Sequence, residues 1–294
     1  MSSDVTPIEV ALPNNNTPLP QQYSQEATRI RRIFMSRILR LRVELLSSDA
    51  SAQPPAYFLS VSRGAYLFSF SGEVARVFKP AYGFPSDTPN PSFTFNGERL
   101  PFDLPFAILA DLYGLDADSK EEFITFIYRF RSPKEPITRL EEGLNEPFAL
   151  FVQNLKEATF IRTQNGDVFK KFASLNVLNN MRHALESQSY SEFEEATREL
   201  TQKFENLFIP LRILVKGSDL MISRSVPKAQ TVGEFFNDLF GSQLIPETKV
   251  VSGGISIDLS TTFECLDAAM MFPDCWIYLT IQLPKSSETD NKSD

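Results

Sequence analysis

The chain is poor in the residues that most enzymes and most secreted folds depend on. Among 294 residues there are one histidine, two cysteines and one tryptophan. A single His, His183, leaves one possible imidazole for a Ser–His–Asp arrangement. It falls in the middle of an expected helix, with no nucleophile elbow around it. Two thiols, Cys265 and Cys275, cannot build a disulfide framework for a chain of this length, and with one His they cannot supply a four-ligand zinc site. Cys265 sits among apolar helix residues and reads as core. No Gly-Lys-Ser/Thr follows the Gly253-Gly254 pair, so no phosphate loop is expected. No apolar run approaches the ~20 residues that cross a bilayer, and the start lacks a basic segment followed by an apolar one. The expectation is a reduced, soluble, non-enzymatic chain without cofactor or metal. The sequons at Asn15 and Asn291 lie in polar tails and carry no meaning without a secretory route.

What is present is phenylalanine, 26 copies, in a chain that is 42% hydrophobic and 22% charged. Each buried ring removes about 150–250 Å² from water, so most of these residues are expected in cores or interfaces. The formal net charge of −8 excludes nucleic acid as a general partner, since most of the surface repels phosphates. One local exception stands out. Arg29, Arg31, Arg32, Arg37, Arg40 and Arg42 fall within fourteen residues. This stretch can be a solvated helix and strand face, a grip on acidic side chains of a partner helix, or a contact with anionic lipid headgroups.

Residues 1–24 are rich in Pro, Asn, Gln and Ser and read as a disordered arm, with 286–294 as a tail of the same kind. Between them the pattern changes twice. Residues 25–133 open with a short helix at 25–33. They continue with strands at 38–45 and 57–61, a helix within 65–78, a strand at 92–95 meeting the turn Asn96-Gly97, a helix at 105–112 and an apolar strand at 123–130. Residues 134–206 lose the strand signals. A helix begins at Asn145-Glu146-Pro147 and places Phe148, Phe151, Val152, Leu155 and Thr159 on one face until Asn165-Gly166 breaks it. Further helices are expected at 168–185 and 191–204. Residues 207–285 return to strands at 210–215, 220–226, 249–257 with a Gly253-Gly254 kink, and 275–283, with helices at 231–240 and 261–271.

The two strand-rich blocks follow one plan. Residues 93–113 (FTFNGERLPFDLPFAILADLY) align with 250–270 (VVSGGISIDLSTTFECLDAAM), and 124–133 with 277–286. In each, a strand ends in a Gly turn, a helix follows, and an apolar strand closes the block. That order is the β-grasp plan, in which the last strand lies centrally. Two unrelated α+β units would give similar patterning.

Several stretches together resemble the autophagy protein 5 family: AYFLSVSRGAYLFSF (56–70), FTFNGERLPFDLPFAILADLYG (93–114), FITFIYRFRSP (123–133), FALFVQNLKEATFIR (148–162), FIPLRILV (208–215), TVGEFFNDLF (231–240) and CWIYLTIQLP (275–284). The resemblance covers about residues 28–284 in order. It departs at Ser36, where the family usually has Gly, and at Phe102, where it usually has Trp. It implies an α+β fold of two ubiquitin-like domains flanking a helix-rich domain. It also implies a role as acceptor of the ubiquitin-like modifier autophagy protein 12. The matching motif Asn154-Leu155-Lys156-Glu157-Ala158 places the isopeptide acceptor at Lys156. A second implied partner is a helix of autophagy protein 16, with Arg37 and Arg63 at matching positions. The resemblance further implies transient contact with the conjugating enzymes autophagy protein 10 and autophagy protein 3, and peripheral contact with an anionic membrane. The expected location is the cytoplasm and the preautophagosomal structure. The alternative is a ubiquitin-like adaptor that is never conjugated.

Overall fold

The computed structural model describes residues 21–82, 92–114, 123–130, 146–202, 208–241 and 248–283. The expected arm up to residue 20, the expected tail and the linker at 131–145 lie outside the described residues.

The first sheet is built from β1 (Ile38–Leu45), β2 (Tyr57–Ser62), β3 (Ser92–Phe95), β4 (Glu98–Arg99) and β5 (Ile124–Arg129), in the order β2-β1-β5-β3-β4. The outer strand pairs are antiparallel, and the central β1–β5 pair is parallel, with Val43 opposite Phe126. Alternation along β1 decides its faces. Leu39, Leu41, Val43 and Leu45 are buried, whereas Ile38, Arg40 and Arg42 face water. The buried face is covered by α2 (Leu67–Phe78) and α3 (Phe106–Tyr113). Phe93 is central to this core, with Phe70, Phe102, Phe126 and Tyr128 around it at ring separations of 5.1–6.3 Å.

The second sheet repeats the plan. Strands β6 (Phe208–Val215), β7 (Met221–Pro227), β8 (Lys249–Ser252), β9 (Ile255–Ser256) and β10 (Ile277–Gln282) take the order β7-β6-β10-β8-β9, again with a parallel central pair. Its helices are α8 (Val232–Phe240) and α9 (Phe263–Met270). The correspondence extends to the backbone. Tyr66 bridges Pro105 in the first unit and Thr231 bridges Thr262 in the second. Phe106 N donates to Ala65 O, and Phe263 N to Gln230 O. The fold is α+β, with two ubiquitin-like units flanking a helical middle.

Three local expectations change. The segment at 249–257 is a hairpin, not a kinked strand: Gly253 and Gly254 both have positive φ (55° and 83°), which is the two-residue turn that reverses the chain. The helix expected at 168–185 is two helices, α5 (Gly166–Phe172) and α6 (Leu175–Glu186), because the Ser174 hydroxyl accepts from Val177 N and starts a new helix there. The first helix, α1 (Gln21–Ser36), is longer than its apolar stripe suggested and begins inside the stretch read as arm. Its Ala27, Ile30 and Phe34 pack into the core, and the helix lies against α9 and against α7 (Tyr190–Gln202).

The remaining helix, α4 (Glu146–Thr163), accounts for the main asymmetry. The first sheet leaves one face open to solvent. On the second, α4 lies over the outer face, so β6 and β10 are buried on both sides. Among the described residues no helix is long and apolar enough to cross a membrane.

Candidate functional site

The helix α4 carries Lys156, and its own sequence explains how the residue is presented. Phe148, Phe151, Leu155 and Ala158 recur at helical spacing and are almost fully buried. Lys156 follows Leu155 by about 100° of rotation and is exposed. Glu157 and Gln153 are also exposed and bond to each other (3.0 Å), so Lys156 stands on a polar flank of the helix. Beside it is a depression of about 410 Å³ with an apolar wall of Phe160, Ile161, Phe169 and Trp276. Phe160 is 51% exposed at its edge.

The helix turn that carries Lys156 is pinned from below. Trp276 Nε1 donates to Asn154 O (2.9 Å), and Arg212 Nη2 donates to Asn154 Oδ1 (2.9 Å). The Arg212 guanidinium lies over the Trp276 ring at 4.2 Å and reaches toward Glu157 at 3.6 Å. Burial opposes the Arg212 charge, but Tyr278 and Asp274 beside it hold the group above its ordinary range. Asp274 is fully buried and accepts from the Tyr278 hydroxyl (2.5 Å). Burial pushes its carboxyl up to about 6, against the pull of Arg212 and Tyr278.

The C-terminal end of α4 is held by a second clamp. Arg162 is 3% exposed and forms a bidentate pair with Asp267 (2.6 and 3.0 Å), and it also donates to the Cys275 carbonyl. Burial works against its charge, and Asp267 more than restores it, so the guanidinium stays above its ordinary range. Cys275 itself is buried and its thiol is pushed up to about 12 by that burial, which suits an inert core residue. Cys265 is buried in α9 as the sequence indicated, and His183 is exposed on α6.

Of the clamp, Arg212 carried a sequence signal: a lone charge inside the apolar strand FIPLRILV. Asn154 and Arg162 carried none, because each gains its partner only from a distant segment, and Asp274 carried none because its neighbours Trp276 and Tyr278 bond to it only once the segment is folded and buried.

The other two singled-out residues meet through the backbone. Arg63 N donates to Arg37 O (2.8 Å). Arg37 is exposed at the α1–β1 junction. Arg63 is not a surface arginine: it is 8% exposed and its Nη1 donates to the Gly253 carbonyl (2.6 Å). Within the chain Arg63 acts as an internal strut that ties the first sheet to the β8–β9 turn of the second. Lys156 lies apart from this pair, on the helical middle.

With this geometry in view, the comparisons with known proteins agree with one another. Residues 208–281 match the family model "Autophagy protein ATG5, UblB domain". Autophagy protein 5 of Aspergillus oryzae is 26% identical over 308 residues, covering 83% of this chain and 94% of that protein. The chain is similar to autophagy protein 5, through one domain model over residues 208–281 and through relatives that span most of its length. Autophagy-related protein 5 of Caenorhabditis elegans is 24% identical over 205 residues, covering 64% of this chain and 73% of that protein. The crystal structure of Kluyveromyces marxianus Atg5 superposes with a TM-score of 0.69 over 86% of this chain and 98% of that one, at 18% identity, and shares the fold.

Proposed function

We propose that this chain is a scaffold that accepts the ubiquitin-like modifier autophagy protein 12 through an isopeptide bond at Lys156. The supporting observation is the presentation of that lysine: exposed, on a helix turn fixed to the second sheet through Asn154, Trp276 and Arg212. An acceptor amine must reach a thioester held by a conjugating enzyme, and a rigid platform lowers the cost of alignment. The conjugating enzyme autophagy protein 10 supplies proton removal and bond-making; this chain supplies placement and is not itself an enzyme. The apolar wall next to Lys156 gives the attached modifier a surface to rest on.

In this reading a helix of autophagy protein 16 docks near the exposed Arg37. The assembled conjugate then acts like an E3 ligase, drawing autophagy protein 3 to transfer autophagy protein 8 onto phosphatidylethanolamine. The chain works from the cytoplasm, recruited to the preautophagosomal structure and touching an anionic membrane only peripherally. No cofactor is required for this role.

The test is reconstitution of the full chain with its lineage's modifier and the activating and conjugating enzymes, read on a denaturing gel. The wild type is expected to give one shifted band and Lys156→Arg none, with both proteins showing the same thermal melt. A shifted band that persists in Lys156→Arg overturns the site. No shift in the wild type, with the modifier still co-eluting on gel filtration, favours the non-conjugated adaptor.

A further inference from the structure

A second cavity, of about 530 Å³, opens where α1, α7, α9 and the segment at 271–275 converge. It joins all three parts of the molecule, and the acceptor reading makes no use of it. Four guanidinium groups line it: Arg31 and Arg32 from α1, Arg162 from α4 and Arg198 from α7. Three carboxylates, Glu194, Glu195 and Asp267, line it as well.

The pairing among these groups is uneven. Asp267 is taken by Arg162 at the floor, where both are largely buried. Glu194 is taken by Arg32 (2.6 Å) and Glu195 by Arg198, and both of these pairs lie near the surface. Arg31 is left over. Its Nε is shielded from solvent and has no hydrogen-bond partner among the described residues. A shielded guanidinium nitrogen without an acceptor is costly, and the cavity beside Arg31 has room for an acceptor from outside the chain. The first turn of α7, at Tyr190 and Ser191, also lines the cavity and turns the positive end of that helix dipole toward it.

We propose that this cavity binds a phosphate group, with Arg31 as its principal contact. Arg32 and Arg198 join it from the rim. The Arg198–Glu195 pair is solvent-exposed and contributes little to stability, so exchanging its carboxylate for a phosphate oxygen costs little, while in the other pair Arg32 is exposed and Glu194 half-buried. The guanidinium fork matches phosphate geometry, and three such forks match the three free oxygens of a monoester. The Arg162–Asp267 pair stays closed beneath. The cavity exceeds the size of bare phosphate, which leaves room for a sugar or inositol ring against Met271, Phe272 and Pro273. The source of the phosphate is either a free phosphorylated small molecule or a lipid headgroup.

The test uses the full chain at constant ionic strength, titrated with inorganic phosphate and with inositol trisphosphate by calorimetry, with chloride as control. Vesicles of phosphatidylcholine with and without a phosphoinositide are sedimented with the same protein. Saturable binding is expected in solution or on phosphoinositide vesicles, weakened about tenfold or more in Arg31→Gln. Arg40→Gln, on the open sheet face, is expected to bind as the wild type does. Ser191→Glu places a carboxylate at the exposed mouth and is expected to block binding without touching the core, which serves if Arg31→Gln does not fold. Binding of the soluble probes assigns a free ligand; binding to vesicles alone assigns the lipid source. Absence of saturable binding with every probe, or equal binding by wild type, Arg31→Gln and Ser191→Glu, overturns the proposal.

Discussion

Replacing Gly253 with alanine probes the seam between the two ubiquitin-like units. Gly253 has φ 55°, and a Cβ there would sit 2.1 Å from Phe34 Cζ, 2.8 Å from Phe34 Cε2 and 3.2 Å from the Ala107 Cβ. Two costs add. The left-handed backbone costs a non-glycine residue about 1–2 kcal/mol. Displacing the Phe34 ring, which is 3% exposed and packed edge-on against Phe272 at 6.0 Å, adds roughly 1–3 kcal/mol of overpacking. Gly97 at the matching turn of the first unit isolates the first cost, because its φ is 86° and a Cβ there meets nothing within 4 Å. Gly97→Ala is therefore expected to cost about 1–2 kcal/mol and Gly253→Ala about 2–5 kcal/mol. Urea unfolding followed by the fluorescence of Trp276, the one tryptophan of the chain, reads both. Phe34→Leu in the Gly253→Ala background should recover roughly 1 kcal/mol or more relative to the sum of the single changes. Equal costs at Gly253 and Gly97, or simple additivity with Phe34→Leu, would refute the claim that a close approach at this turn joins the two units.

Two further outcomes follow from the clamps under α4. Arg162→Met leaves Asp267 and the Cys275 carbonyl without their donor and is expected to cost about 3 kcal/mol, at the low end for a buried pair because Asp267 keeps some water; a urea-derived loss below about 1 kcal/mol contradicts this. Asp274 titrates near 6 when folded and near the ordinary carboxylate value when unfolded, so the native chain holds the extra proton between those values. Its contribution to stability therefore rises as pH falls from 7 toward 4, by up to about 3 kcal/mol for a shift of about two pH units. Asp274→Asn lacks that titration, so the wild type should gain stability relative to the mutant as pH falls across this range; a difference that stays flat with pH shows that the carboxyl titrates normally.

The elements themselves were largely legible. Alternation in Ile38–Leu45, the Asn96-Gly97 turn, the helix start at Thr231 and the apolar Ile277–Gln282 each express a local rule, and each fell within a residue or two of its expected place. The break before Leu175 was missed because its signal is a single Ser hydroxyl inside a helical pattern. Lys156 could be placed on an exposed flank because helix periodicity alone fixes its angle from Leu155.

What the sequence determined alone is the set of elements and their doubled order, since period, caps and turns act over a few residues and need no partner. The tertiary structure decided which charges turn inward. Arg63 and Arg162 look like any polar residue along the chain, Arg212 shows only as a lone charge in an apolar strand, and only folding brings Gly253 O, Asp267 and Asn154 to them. Burying a charge is tolerable only beside such a partner, and partners more than fifty residues away leave no local mark.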